Sequence, residues 1–367
     1  MEQIAKKTIA LIYGGMSGEH SVSLITAASV LRAIDKEKYD IFPIGITKNG
    51  VWVKGVTNPE ELESIGFGGQ LPEDGQRLTF AMDGSGDVIA LSDDGSEEKG
   101  VLGHVDVVFP LLHGPFGEDG TLQGLCEMAR IPYVGCGVLS SAAAMDKHFM
   151  KLVLSQFSLP FVDYVVVRES EWKNNAQKIK DEIMSTLQFP VFVKPARAGS
   201  SLGVSKVDKI EQLEQAIKNA YEVDEKVLVE TGIDAREIEC GILGQHGKMK
   251  ASVVGEIHPG VGEGDFYDFD AKYTDTEQLR LDIPAHISDE LSYKLRSLAV
   301  EVGQAFECSG LTRVDFFVTE SEDVYINELN TLPGFTSVSM YPQLWEATGI
   351  SYTELIDLLI DTAHVSA

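Results

Sequence analysis

Apolar positions along this chain change period, and the changes mark its elements. Residues 7–13 form a continuous apolar run that stops at Gly14-Gly15, which predicts a buried strand. Val22, Ile25, Ala28, Leu31 and Ile34 then recur at helical spacing and predict a helix over 22–34. Runs at 41–47 and 105–112 read as further buried strands, and 131–135 as a short one. Strands alternating with helices predict an N-terminal open parallel α/β domain. Residues 48–103 are different in character, rich in Gly, Asp, Glu and Ser, with apolar pieces only at 51–53, 78–82 and 88–91. They read as an insertion of short strands and loops without a catalytic signal.

Residues 140–153 read as one helix carrying Met145-Asp146-Lys147. A strand at 189–193 runs into Lys194-Pro195, the loop ARAGSSLG and a strand at 204–207. Strands follow at 226–230, 236–243 and 250–257. The acidic, aromatic stretch 258–282 is too long for an ordinary connection and reads as a lid. Leu291, Leu295, Leu298, Val302 and Phe306 stripe an amphipathic helix, and 355–363 is a terminal helix.

Before that last helix, RVDFFVTESEDVYINELNTLPGF (313–335) reads as two strands joined by an acidic turn. Alternation puts Val314, Phe316 and Val318 on one face and Arg313, Asp315 and Phe317 on the other; Ile326, Glu328 and Asn330 share a face of the returning strand. A turn centred on Ser321 and Glu322 sets Asp315 opposite Glu328 and Arg313 opposite Asn330. Directly opposed carboxylates repel, so neutralising either one should not lower stability. A hard cation would offset the repulsion, and two carboxylates with an amide oxygen suit Mg²⁺. The alternative is a solvated face carrying ordinary acids. Asn-Thr-Leu-Pro-Gly, following at once, favours the cation by offering backbone N–H groups beside it.

The 367 residues suffice for two or three domains with full cores. A net charge of −27 argues against nucleic acid or an anionic membrane as partner, though a small anion needs only a local basic pocket. Four scattered cysteines without C-x-x-C spacing argue against a zinc or disulfide framework and fit a reducing cytoplasm. No secretory leader and no membrane-spanning apolar run is legible.

Local chemistry gives three further candidates. Glu19, near the start of the first predicted helix, either favours the helix dipole or holds a cationic group. His113 ends a buried strand, at the sheet edge where open α/β folds bind ligands. Lys194 precedes a loop in which Gly199 and Gly203 flank Ser200-Ser201, so the loop can lie close to a phosphate; the alternative is an ordinary flexible hairpin.

GGMSGEHSVSL, HGPFGEDGTLQG, MDK, VKPARAGSSLGVSKV, FYDFDAKY, RVDFF and NELNTLPGFTSVSMYP, in this order, resemble the ATP-grasp enzymes and, within them, the D-alanine–D-alanine ligases. The resemblance covers nearly the whole chain. It implies an α/β and α+β architecture, with an N-terminal domain at 1–135, a central subdomain at 136–229 and a C-terminal one at 230–367, and ATP held between two sheets. Lys147 and Lys194 match the family's phosphate-binding lysines, with Lys272 adding positive charge. Glu230, Thr231 and Ile233 lie in the matching adenine hinge; the family often has Lys at Thr231, where only the backbone is needed. Glu237 matches the ribose-binding acid. Asp315, Glu328 and Asn330 match the ligands of two Mg²⁺ ions, for which Mn²⁺ can substitute. Glu19 matches the acid that orients the first D-alanine, with Ser200 and Tyr273 as relay partners. Arg313 and the Gly334 N–H match the oxyanion-stabilising pair, Ser339 the residue for the second substrate's carboxylate, and His113 a histidine near the reacting carboxylate. The implied reaction makes D-alanyl-D-alanine through an acyl phosphate for peptidoglycan synthesis, in a cytoplasmic homodimer. Rival readings are D-lactate or another acid as acceptor, and a nucleotide-binding module without catalysis. The intact Arg313, Asp315, Glu328, Asn330 and Lys194 argue against the module.

Overall fold

The computed structural model describes residues 6–67, 69–245, 247–258 and 280–365. The first apolar run is β1 (Lys7–Gly14), followed by α1 (His20–Ala33) and β2 (Tyr39–Ile46). β1 is the centre of a parallel unit, paired with β2 on one side and later with β7 (Val107–Pro110) on the other. Gly14 ends β1 at φ 93°, and an added Cβ would lie 2.3 Å from the Ile46 carbonyl oxygen, so only glycine makes this corner.

The insertion is more ordered than its polar composition predicts. β3 (Trp52–Lys54) pairs antiparallel with β2 and extends the first sheet, and α2 (Pro59–Gly66), absent from the sequence reading, packs on α1. Asn58 caps α2, accepting from the backbone of Glu60 and Glu61. β4 (Leu78–Phe80), β5 (Asp87–Leu91) and β6 (Glu98–His104) form a separate antiparallel sheet. The Tyr13 hydroxyl donates to the Val56 carbonyl and accepts from its N–H, at 2.8 and 2.7 Å. His20 takes Leu71 N–H on Nε2 at 3.3 Å while Nδ1 faces the Gly15 carbonyl at 2.7 Å. The insertion therefore braces the turn that carries Glu19.

After α3 (Thr121–Ala129), residues 131–135 make only two isolated bridges at Tyr133, to Val108 and His364, instead of the predicted strand. The predicted helix over 140–153 is two helices, α4 (Val138–Met145) and α5 (Lys147–Gln156). Asp146 separates them: its backbone is extended, and its side chain accepts from the N–H groups of His148 and Phe149 and so starts the second helix. β8 (Tyr164–Arg168), α6 (Glu169–Thr186) and α7 (Leu213–Tyr221) were not read from the sequence. β8 joins β9 (Val191–Pro195), β10 (Ser205–Val207) and β11 (Lys226–Thr231) in an antiparallel sheet ordered β10-β9-β11-β8.

The fourth sheet runs β14-β13-β12-β15-β16, all antiparallel: β12 (Arg236–Gly244), β13 (Lys250–His258), β14 (Arg280–Asp282), β15 (Gly310–Val318) and β16 (Val324–Asn330). α8 (Asp289–Ala305) covers its apolar face through Leu291, Leu295 and Val302. α9 (Met340–Thr348) and α10 (Tyr352–Asp361) close the chain. Leu355, Ile356, Leu359 and Ile360 of α10 share one core with Ile9 and Leu11 of β1 and Leu24 of α1, so the C-terminus helps hold the first sheet.

The hairpin register is as predicted where it matters: Asp315 pairs with Glu328 and Arg313 with Asn330. One face assignment is corrected. The register shifts between Asp315 and Phe316, so that Phe316 pairs with Ile326 and Asn327 is the extra residue of a bulge. Ile326 therefore lies in the core with Phe316 and Leu329, and it does not share a face with Glu328.

Candidate active site

The site lies where three corners meet: the β1–α1 turn, the loop after β9, and the open face of β12, β15 and β16. Glu19 occupies the cap position of α1, and its side chain is not spent on the helix. It accepts a hydrogen bond from Ser200 Oγ at 2.7 Å, across 181 residues of sequence. Ser200 and Ser201 sit at positive φ, 49° and 59°, the strain that lets their loop turn toward Glu19. Gly114 beside them sits at φ 71°, which favours glycine, and its Cα lies close to Glu19 Oε2.

His113 is buried at the end of the β7 segment. Its Nε2 is 3.2 Å from Thr26 Oγ1 and its Nδ1 4.0 Å from Glu118 Oε1. Burial lowers its pKa, with the charge of Glu19 acting the other way. Glu118 accepts the Gly114 N–H at 2.8 Å, and burial, then the charge of Glu19, push its carboxyl up to about 8. Glu118 thus belongs to the site although sequence reasoning passed over it inside HGPFGEDG; the signal was an acid in a motif already singled out.

On the five-stranded sheet, Arg313 donates from Nε and Nη2 to both oxygens of Asp315, at 2.7 and 2.8 Å. Its Nε also lies 2.7 Å from Glu239 Oε2, on the neighbouring strand opposite Asp315. Burial works against the guanidinium's charge, but Asp315 and Glu239 outweigh it and raise its pKa. Asn330 Nδ2 donates to Asp315 Oδ2 at 2.8 Å. Lys147 Nζ reaches Glu328 Oε1 at 3.3 Å and donates to the Ala198 carbonyl at 2.8 Å, tying the hairpin to the Ser200 loop. Glu239 was missed; its signal is alternation with Glu237 along β12.

Lys194 lies at the end of β9, 2.7 Å from Glu230 Oε2. Burial tends to raise the Glu230 carboxyl, but Lys194 and Lys151 together bring it down to about 2. Thr231 and Gly232 leave β11 with their N–H groups on the carbonyls of Asp163 and Pro190, and Ile233 follows in the open connection to β12. Glu237 is exposed on β12, in register with Phe317. Gly334 and Ser339 share one turn: Ser339 accepts the Thr336 N–H at 3.1 Å, and a Cβ on Gly334 would lie 3.2 Å from Ser339 Oγ. Lys272 and Tyr273 lie outside the described residues, as does the stretch read as a lid apart from its ends, His258 in β13 and Arg280–Asp282 in β14. Among those described, Glu256, His258 and Asp282 also gather closely enough to hold a metal, but Arg236 and Arg280 already pair with these acids.

Opposed carboxylates, phosphate-suited lysines and an α/β ligand corner, brought together between two antiparallel sheets, define an ATP-grasp enzyme. Residues 8–136 match the D-ala D-ala ligase N-terminus family and residues 153–361 the D-ala D-ala ligase C-terminus family. The chain belongs to the D-alanine–D-alanine ligase family. It is 50% identical over 364 residues to the D-alanine–D-alanine ligase of Rhodococcus opacus, covering 97% of this chain and 96% of that protein. It is 49% identical over 366 residues to that of Kocuria rhizophila, with 98% and 94% covered. Among solved structures it is similar to the VanG D-Ala:D-Ser ligase from Enterococcus faecalis, with a TM-score of 0.84, 36% identity and coverage of 98% and 99%. It is also similar to the D-alanine–D-alanine ligase from Coxiella burnetii, with a TM-score of 0.80, 31% identity and coverage of 97% and 93%.

Proposed function

We propose that this chain joins two D-alanines, consuming ATP, to give D-alanyl-D-alanine for peptidoglycan synthesis. The observation that carries this is the Ser200–Glu19 hydrogen bond. It joins an amino-acid pocket on the first sheet to the loop that leaves Lys194, so a carboxylate held near Glu19 faces a phosphate held near Lys194.

Glu19 takes the ammonium group of the first D-alanine, with Ser200 and Tyr273 as its relay. A carboxylate oxygen of that substrate attacks the γ-phosphorus of ATP, the bond to the β-phosphate oxygen breaks, and ADP leaves. Two anions must approach, so charge neutralisation dominates the barrier. Lys147, Lys194 and Lys272 supply cations from the protein. The hairpin donors fit Mg²⁺: Asp315 and Glu328 face each other with Asn330 beside them, and with Glu239 three acids share one guanidinium and one ammonium. Two Mg²⁺ ions, or Mn²⁺, held by Asp315, Glu328 and Asn330 would add charge neutralisation at the phosphates. Glu230, Thr231 and Ile233 form the adenine hinge, and Glu237 holds the ribose.

The second D-alanine, its carboxylate on Ser339, attacks the acyl carbon through its amine once a proton is lost. Arg313 and the Gly334 N–H receive the oxyanion. Nε and Nη2 of Arg313 hold Asp315, which fixes the guanidinium plane beside the hairpin. His113 borders the reacting carboxylate, and phosphate leaves. Three units, 1–135, 136–229 and 230–367, would carry these parts, in a cytoplasmic homodimer. Among the described residues no helix is long and apolar enough to cross a membrane.

The test is incubation with Mg-ATP and D-alanine, followed by mass detection of the dipeptide. D-serine and D-lactate are added as competing acceptors, D-serine because of the likeness to the VanG enzyme. Dipeptide as the main product supports the reading; phosphate release without any coupled product, or preference for another acceptor, overturns it. Tyr273→Phe in the same assay should let D-lactate compete, because a phenyl ring cannot hydrogen-bond to Ser200.

A further inference from the structure

Lys151 has no part in the mechanism above. It lies one helical turn beyond Lys147 on α5, so the two lysines project from one side of that helix. Its side chain is 1% exposed. Nζ lies 3.2 Å from Glu230 Oε1 and 5.4 Å from the ring centres of both Phe161 and Tyr164. The other oxygen, Glu230 Oε2, is 2.7 Å from Lys194, whose side chain keeps 15% exposure. One carboxylate therefore bridges a sealed lysine and a lysine at the edge of the site.

Consider that carboxylate with Lys194 as its sole partner. Each time Lys194 turned to a phosphate, a buried charge would be left uncompensated, a costly state. Lys194 would then stay on Glu230, and the pair would present no net charge to a nucleotide. With Lys151 behind it, Glu230 remains paired, and the cluster keeps one positive charge to offer. Burial depresses Lys151 while Glu230 supports its charge, and Glu230 is firmly ionised.

We propose that Lys151 is a positioning residue for the nucleotide: it is the standing counter-ion of Glu230, and it frees Lys194 to share its charge with the phosphates of ATP. The proposal rests on Lys194 being a phosphate ligand, as inferred above.

The test compares binding of Mg-ADP and of adenosine, together with KM and kcat for ATP, in the full-length protein. Lys151→Met should weaken Mg-ADP and raise the KM for ATP by about tenfold, the worth of one charge-assisted contact. It should change kcat little and leave adenosine binding as it was, since adenosine carries no phosphate. Lys151→Arg should recover most of the loss. A scaffolding role would weaken adenosine and Mg-ADP alike, and that result overturns the proposal, as does unchanged Mg-ADP binding. Should Lys151→Met fail to fold, the double variant Lys151→Met, Glu230→Gln removes both buried charges. Its ratio of Mg-ADP to adenosine affinity should match the unsubstituted protein, and a ratio lowered about tenfold overturns the proposal. Lys194→Met separates the two layers of the argument. If it weakens Mg-ADP while Lys151→Met does not, Lys151 is not a positioning residue. If neither does, the assignment of Lys194 falls, and the proposal with it.

Discussion

The two ends of the candidate site hold opposite charge imbalances. At the β9–β11 end, Lys194 and Lys151 share the single carboxylate of Glu230. At the hairpin end, Asp315, Glu239 and Glu328 share the guanidinium of Arg313 and the ammonium of Lys147. Among the described residues and these contacts, one end has a cation in surplus and the other an anion in surplus. The first is suited to a polyphosphate and the second to a metal ion that accompanies it. A chain with a net charge of −27 can thus offer an anionic substrate a local cationic surplus, and its overall charge does not decide the matter.

The largest effect should come from removing the surplus at the hairpin. Glu328→Gln or Asp315→Asn should each lower ligation on the order of a thousandfold at ordinary Mg²⁺. Near-normal turnover in either would remove the metal assignment. Their stabilities should differ, contrary to the expectation from opposed carboxylates alone. Asp315 is the two-pronged partner of the largely buried Arg313, so Asp315→Asn should melt lower. Glu328 has a contact with Lys147 and faces Asp315, so Glu328→Gln should melt close to the unsubstituted protein. Differential scanning calorimetry without nucleotide distinguishes the two.

At the lysine end, Lys194→Met should raise the KM for ATP by about ten- to a hundredfold. Steady-state kinetics with D-alanine saturating measures this, and an unchanged KM would erase the contrast between the two ends. Ser200→Ala sits between them. Losing one hydrogen bond to an ionised carboxylate should raise the KM for the first D-alanine by about tenfold and leave ADP binding nearly unaffected.

The smallest effect concerns Glu118, whose carboxyl is pushed up to about 8 by burial and then by the charge of Glu19. In the unfolded chain it titrates near the ordinary value of about 4.3. The folded state holds the proton to higher pH, so this group costs stability as pH rises between those two values. Glu118→Gln keeps an acceptor for the Gly114 N–H and cannot ionise. Its melting temperature should therefore match the unsubstituted protein near pH 4 and exceed it by a few degrees at pH 9. An equal gap at both pH values would show that Glu118 is not carrying a raised pKa.

Legibility in the sequence followed the range of the interaction. Alternation put Asp315 on the site face, and the assumed turn centre set it opposite Glu328; the pairs nearest the tip are centred on Ser321 instead, and the extra residue Asn327 restores that pairing. Alternation misplaced Ile326, because a bulge at Asn327 shifts the pairing without any periodic signature. Helical spacing found α1 and α8, but it fused α4 with α5, since an extended Asp146 interrupts an apolar pattern that itself continues. In the insertion, polar composition hid α2 and the His20–Leu71 clasp.

By itself the sequence determined the strands and helices with strong periods, the ordered motifs that place the chain in its family, and the acids and bases available for chemistry. Those are properties of neighbours along the chain. Only the tertiary structure decided that Ser200 meets Glu19, that Lys151 stands behind Glu230, and that Glu239 joins Arg313. The energy of a charge pair depends on separation and on exclusion of water, and both are set by which elements pack together. Spacing along the chain carries neither quantity, so the residues were legible before their partnerships were.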